Sequence, residues 1–197
     1  MVGSMIGLFF PFRKTNKEET MKKKFALLTL AGLVVCLLTA SLALAARVPN
    51  GIAGRSDTAH LYLFQKDPST WQIIPNGAWG KMTYRIISPS FRFVFNGHKL
   101  QPGVSYTLIY YPDPWPGNNL ICLGSGIADM YGDVHIASAV QTGNLPQPTD
   151  ANYPTGAKIW LVLSTDVDCV GPPPHMIGWN PTQYLFEYNL IVFTQTS

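Results

Sequence analysis

Glutamate is nearly missing from this chain. Two of its three glutamates, Glu18 and Glu19, lie in the first twenty residues, which leaves Glu187 as the only one beyond residue 45. An acid/base pair of the kind that hydrolyses glycosides needs two carboxyl groups in one cleft. Here it would have to use Asp113, Asp129, Asp133, Asp166 or Asp168, since Glu187 sits in a strand-like run between Phe186 and Tyr188. Other signatures are missing as well. There is no His-Glu-x-x-His metal helix, no Gly-x-Ser-x-Gly elbow, no phosphate-cradling glycine loop before a helix and no cysteine quartet, so the chemistries those motifs serve are not expected, and neither is a cofactor. Beyond residue 46 no segment sustains a 3.6-residue apolar period, which predicts short helices or none.

Long apolar runs are also absent, with one exception. Lys22, Lys23 and Lys24 precede an uncharged run over residues 25–46 that closes on Ala43-Leu44-Ala45. A basic start, an apolar centre and small residues at the end are the three parts of an export signal. The reading is a signal peptide over residues 21–45 cleaved after Ala45, preceded by residues 1–20, which need not be translated if Met21 is the start. The alternative is an uncleaved membrane anchor over residues 25–45, whose length is close to the ~20 residues of a spanning helix. Residues 46–56 then form a linker and residues 57–197 a single domain.

Removing the signal reverses the sign of the charge. Eight of the fourteen lysines and arginines remain against nine of the eleven acids, a net charge of −1. The basic balance of the whole chain belongs to the targeting segment, so no nucleic-acid partner is expected, and a membrane only through an uncleaved signal. Cysteine is scarce too. With Cys36 inside the signal, Cys122 and Cys169 remain. An even pair in an exported chain predicts a disulfide rather than two buried thiols; closing a loop of nearly fifty residues would stabilise the fold by about 4 kcal/mol through loop-closure entropy.

What is plentiful is strand pattern. Runs rich in β-branched and aromatic residues recur between Gly, Pro, Asn and Asp, the habit of an all-β domain. Predicted strands include His60 to Phe64, a short Trp71-Gln72-Ile73-Ile74, Lys81 to Ile86, a row with Phe91, Phe93 and Phe95 on one face, and Ser105 to Tyr111. Leu120 to Leu123 and Val134 to Ile136 flank a glycine turn at Asp129 to Asp133. Lys158 to Leu163 reads as a central strand covered on both faces, and an apolar run from Tyr184 to Phe193 closes the chain. The expected fold is an antiparallel β-sandwich, immunoglobulin-like or jelly-roll-like, of about eight strands.

Several phrases carry a resemblance: Phe95-Asn96-Gly97-His98, the stretch over residues 100–117 that ends Tyr110-Tyr111-Pro112-Asp113-Pro114-Trp115-Pro116-Gly117, residues 156–164, and Gly178-Trp179-Asn180-Pro181-Thr182. In these the chain resembles secreted, single-domain prokaryotic β proteins to which no activity is assigned. The resemblance implies one extracytoplasmic β domain and no mechanism.

Candidate sites are few. The histidines His60, His98, His135 and His175 are far apart in sequence, and a metal site would require the fold to gather His60, His135 and His175 with Asp129 or Asp133, or with Asp166 and Asp168. Asp166 and Asp168 alternate at a strand end as calcium-ligating carboxylates would, without further oxygen-ligand spacing. The stronger constellation is aromatic. Trp115 and Trp179 sit in loops stiffened by proline and glycine, and with Tyr131 and Tyr153 they would form a ligand-binding surface, since rigid aromatic anchors lose little entropy on binding. The competing reading is that these rings plug the ends of the core. The expected function is a non-catalytic binding or cell-surface structural module whose partner is a carbohydrate or another surface protein. The alternatives are a secreted hydrolase and a surface-assembly subunit that pairs through its apolar C-terminal run.

Overall fold

The computed structural model describes residues 57–153 and 155–197; the upstream segment, the expected signal and the linker lie outside them. Twelve strands follow in chain order: β1 (Thr58–Phe64), β2 (Trp79–Arg85), β3 (Ile87–Ser88), β4 (Phe91–His98), β5 (Ser105–Tyr111), β6 (Ile121–Ile127), β7 (Val134–Val140), β8 (Lys158–Leu163), β9 (Val167–Asp168), β10 (His175–Met176), β11 (Leu185–Glu187) and β12 (Thr194–Gln195). Eight form one sheet in the order β6-β5-β8-β11-β1-β2-β4-β7, antiparallel at every step.

The all-β, antiparallel expectation holds, but two stacked sheets do not form. The single sheet curls until it is nearly a barrel, because its two edge strands, β6 and β7, approach each other. Gly124 and Gly126 on β6 make room for this: a Cβ on either would lie 2.9 Å from Ile136 Cγ2 or Val134 Cγ2 of β7. A turn at Asp129 to Asp133 joins the two edges. Within it Gly132 takes φ +80°, the conformation a tight turn asks of glycine.

Alternation then sets inside from outside. Leu61, Leu63, Met82, Leu108, Leu161 and Leu185 point into the barrel, where Phe91, Phe93 and Phe95 join them; each such burial stabilises by roughly 1.5–3 kcal/mol. The adjacent register places Ile109, Trp160, Phe186, Phe64 and Trp79 in one cross-strand row on the outer face. Over β5, β8 and β11 that outer face is itself covered, by residues 164–184. This is why β8 is buried on both sides from Ile159 to Leu163.

Two expected strands differ. Trp71 to Ile74 belong to a loop with one isolated bridge, Lys66 to Ile73, because the Asp67 carboxylate accepts the Ser69 and Thr70 N–H groups at 2.8 and 3.1 Å and turns the chain. The closing run is broken into β11 and bridges from Ile191 and Phe193 to Ala157 and Leu145. Of this run only β11 lies inside the sheet, between β8 and β1, while Tyr188 and Val192 are exposed.

Candidate functional site

Four of the five tryptophans converge on the covered outer face. Trp160 of β8 forms the floor, stacked on Tyr111 at the end of β5 with centroids 3.9 Å apart and planes at 12°; Phe186 meets it edge-on at 5.2 Å. Trp115 arrives from the loop after β5 and Trp179 from the loop after β10, their rings 5.5 Å apart at 78°. Trp71, edge-on to Phe186 at 5.2 Å, comes from the loop after β1. Together with Asp113, Pro114 and Lys158 they line a cleft of about 710 Å³. Trp71, Trp115 and Trp179 are 49%, 51% and 43% exposed while Trp160 is 7% exposed, so three indoles stand as walls over a buried floor.

The walls are held from behind. Met176 N–H donates to the Pro116 carbonyl at 2.9 Å and Asn119 N–H to the Pro174 carbonyl at 3.0 Å, which ties the Trp115 loop to the Trp179 loop. The expected disulfide, Cys122 to Cys169 with Cα atoms 5.9 Å apart, anchors the same pair of segments. Each loop also hangs on a buried aspartate. Asp150 accepts from the Tyr110 hydroxyl at 2.7 Å, the Asn152 N–H at 2.9 Å and the Asp113 N–H at 3.3 Å. Asp166 accepts from the Tyr184 hydroxyl and from Asn180 Nδ2 at 2.8 Å, and its backbone carbonyl takes the Ile177 and Gly178 N–H groups at 2.8 and 3.1 Å. A buried carboxylate is tolerated only when it is bonded in this way. Both tyrosines are pushed well above the ordinary phenol range, by burial first and by the carboxylate each one serves second. Their hydroxyls therefore remain donors.

At the rim Asp113 forms an ion pair with Lys158 and accepts Asn152 Nδ2 at 2.7 Å. Burial pushes the Tyr111 phenol up to about 12, with the charges of Asp113 and Asp150 adding to it. Beside the floor, burial pushes the Glu187 carboxyl up to about 7. Its own backbone N–H, Lys66, Lys158 and the Trp160 indole pull the other way, more weakly. Glu187 Oε2 and Trp160 Nε1 are buried without a hydrogen-bond partner.

Of the four aromatic residues singled out in the sequence, Trp115 and Trp179 stand side by side. Tyr131 lies in the β6–β7 turn, and Tyr153 lines a separate recess with Thr142 and Pro146. The metal candidates stay apart. His60 Nδ1 bonds Thr83 Oγ1 at 3.0 Å, His135 Nδ1 bonds Asn96 Oδ1 at 2.8 Å, and His175 Nδ1 bonds the Pro173 carbonyl at 2.9 Å. Asp168 accepts the Val170 and Gly171 N–H groups, both at 2.9 Å, while Asp166 faces Tyr184. Among the described residues no three His, Cys, Asp or Glu side chains gather as a metal ion would require.

The sequence reading missed Trp71, Tyr111, Trp160, Lys158 and Asp150. Trp71 carried one overlooked signal, its position just after the turn-forming Asp67-Pro68-Ser69-Thr70. Trp160 and Tyr111 carried none, because strand alternation alone does not tell which face of a doubly covered strand borders a cleft. No family model, no curated protein and no solved structure matches this chain.

Proposed function

We propose that the protein is an exported binding module that takes a carbohydrate chain on the tryptophan cleft and does no covalent chemistry on it. The observation that carries this reading is the convergence of Trp71, Trp115 and Trp179, each about half exposed, around one cleft floored by Trp160 and Tyr111. An open row of indoles is costly to leave in water, and aromatic faces with a few polar groups at the rim suit a ligand that is apolar on one face and hydroxylated at its edges. Asp113 and Lys158 supply the polar rim. Asp113 is already committed to Lys158 and Asn152, and Asp150 is buried beneath it, which favours binding over hydrolysis.

Retention on a glycan array, followed by calorimetric titration of the retained oligosaccharides, tests the reading. Trp115→Ala removes a half-exposed wall and is expected to weaken binding by at least tenfold with little change in melting temperature. If Trp115→Ala instead melts early and binds nothing that the parent protein binds, the ring is a plug over the core and the cleft is not a site. Export is tested separately, by the intact mass of protein from the exported fraction. A chain beginning at Ala46 supports it, and a retained N-terminal segment supports the anchored alternative.

A further inference from the structure

We propose that Arg85 and Arg92 form a second binding site, for a phosphate or sulfate group. They are the only arginines among the described residues, and both line one recess of about 440 Å³ with Ser88, Ser90 and Thr196. The β2–β4 register ends at Tyr84 opposite Phe93; Arg85 and Arg92 are the next residues of the two strands, and both are exposed. Their paired cross-strand neighbours are Thr58 and Ala139, so neither is paired with an acid. Asp57, just before β1, forms an ion pair with neither, and among the described residues no carboxylate lies within 4.0 Å of either guanidinium.

Neighbouring like charges on a sheet destabilise it. Residues 57–197 hold more acids than bases, yet among the described residues no counter-ion stands beside the two arginines that share this recess. A doubly charged tetrahedral oxyanion removes that repulsion, and two planar guanidinium forks match its oxygens. The hydroxyls of Ser90 and Thr196 border the same recess as further donors. The recess is a built feature: the C-terminal strand β12 pairs with β3 beneath it, Thr194 N–H donates to the Ile86 carbonyl at 2.9 Å, and Thr196 N–H donates to the Ser88 carbonyl at 3.1 Å. None of its residues lines the tryptophan cleft, so it stands or falls apart from the carbohydrate reading.

The test is thermal unfolding of the full chain in sodium phosphate, sodium sulfate or sodium chloride at matched ionic strength, for the parent protein, Arg85→Gln, Arg92→Gln and the double variant, with Lys81→Gln as a charge control. Occupancy at ten times Kd is expected to raise the parent melting temperature by about 4 °C over chloride. Each single variant is expected to lose most of that shift, the double variant all of it, and Lys81→Gln none. In chloride alone Arg92→Gln is expected to melt no lower than the parent, since it relieves the neighbouring like charges. Phosphate and sulfate also stabilise proteins generally by exclusion from their surfaces; an equal shift in the double variant would be that effect and would overturn the proposal, as would no shift in any protein. Titration with a sulfated oligosaccharide then separates the sources. Binding more than tenfold tighter than free sulfate, and lost in the double variant, makes a polymer-borne group the ligand, whereas affinity equal to free sulfate makes it the small ion.

Discussion

At the scale of single residues, two departures from ordinary stability stand at the cleft or beside its floor. Glu187 keeps its carboxyl oxygen Oε2 buried without a hydrogen-bond partner. Its folded pKa of about 7 lies above the ordinary 4.5. Between those values the folded state binds the extra proton, so stability falls as pH rises through this window and the cost is complete above it, on the order of 3 kcal/mol. Glu187→Gln is therefore expected to match the parent in urea unfolding at pH 5 and exceed it at pH 8; parallel profiles for the two proteins would sink this account. The second departure is Trp71, whose φ is +58°. A bulky residue in the left-handed region costs roughly 1 kcal/mol or more, yet it is what turns this indole over Phe186. Trp71→Gly relieves the backbone and deletes the wall. It is expected to shift the urea midpoint little while lowering affinity for whichever oligosaccharide the parent binds, and a variant that binds as well as the parent would remove Trp71 from the site.

At the scale of elements, the site is two loops fixed to a sheet, and this decides what was legible in the sequence. Strand β4 could be read directly, because Phe91, Phe93 and Phe95 repeat at period two and all point inward. The loops holding Trp115 and Trp179 were legible as rigid, through their prolines and glycines. Their meeting was not, since it depends on Asp150 and Asp166, which lie 37 and 14 residues from the loop atoms they hold, Asp113 N and Asn180 Nδ2. Local propensity carries no trace of such a contact. The run Trp71-Gln72-Ile73-Ile74 misled in the opposite way, its β-forming side chains overruled by the Asp67 turn. The bridge between Cys122 and Cys169 spans 47 residues and joins β6, just after the Trp115 loop, to the β9–β10 segment that leads to Trp179. Replacing both cysteines with alanine is expected to cost about 4 kcal/mol of stability and to weaken oligosaccharide binding under conditions where the variant is still folded. Unchanged affinity in the folded variant would mean that the backbone bonds from Met176 and Asn119 hold the walls unaided.

At the scale of the whole molecule, the question is why eight strands curl into one sheet when their alternation equally suits two. The answer lies in residues that read as weak points of a strand. Gly124 and Gly126 lower the strand propensity of β6, and they are also what lets Ile136 and Val134 of β7 close over it. Edge strands invite pairing with other chains, and here the two edges of the sheet are consecutive in the chain and cover each other. Closure also leaves the outer face of β5, β8 and β11 as the surface on which the cleft is built. Gly124→Val places a branched side chain where Ile136 Cγ2 now lies, so it is expected to cost about 1–3 kcal/mol by overpacking and to expose the β6 edge. Ser125→Val, on an exposed position of the same strand, is the matched control. Urea unfolding and sedimentation velocity read the two effects. A Gly124→Val protein that unfolds earlier and self-associates, beside a Ser125→Val protein that does neither, makes the glycine seam the device that keeps this sheet closed; a Gly124→Val protein as stable and as monomeric as the parent means that the barrel closes without it.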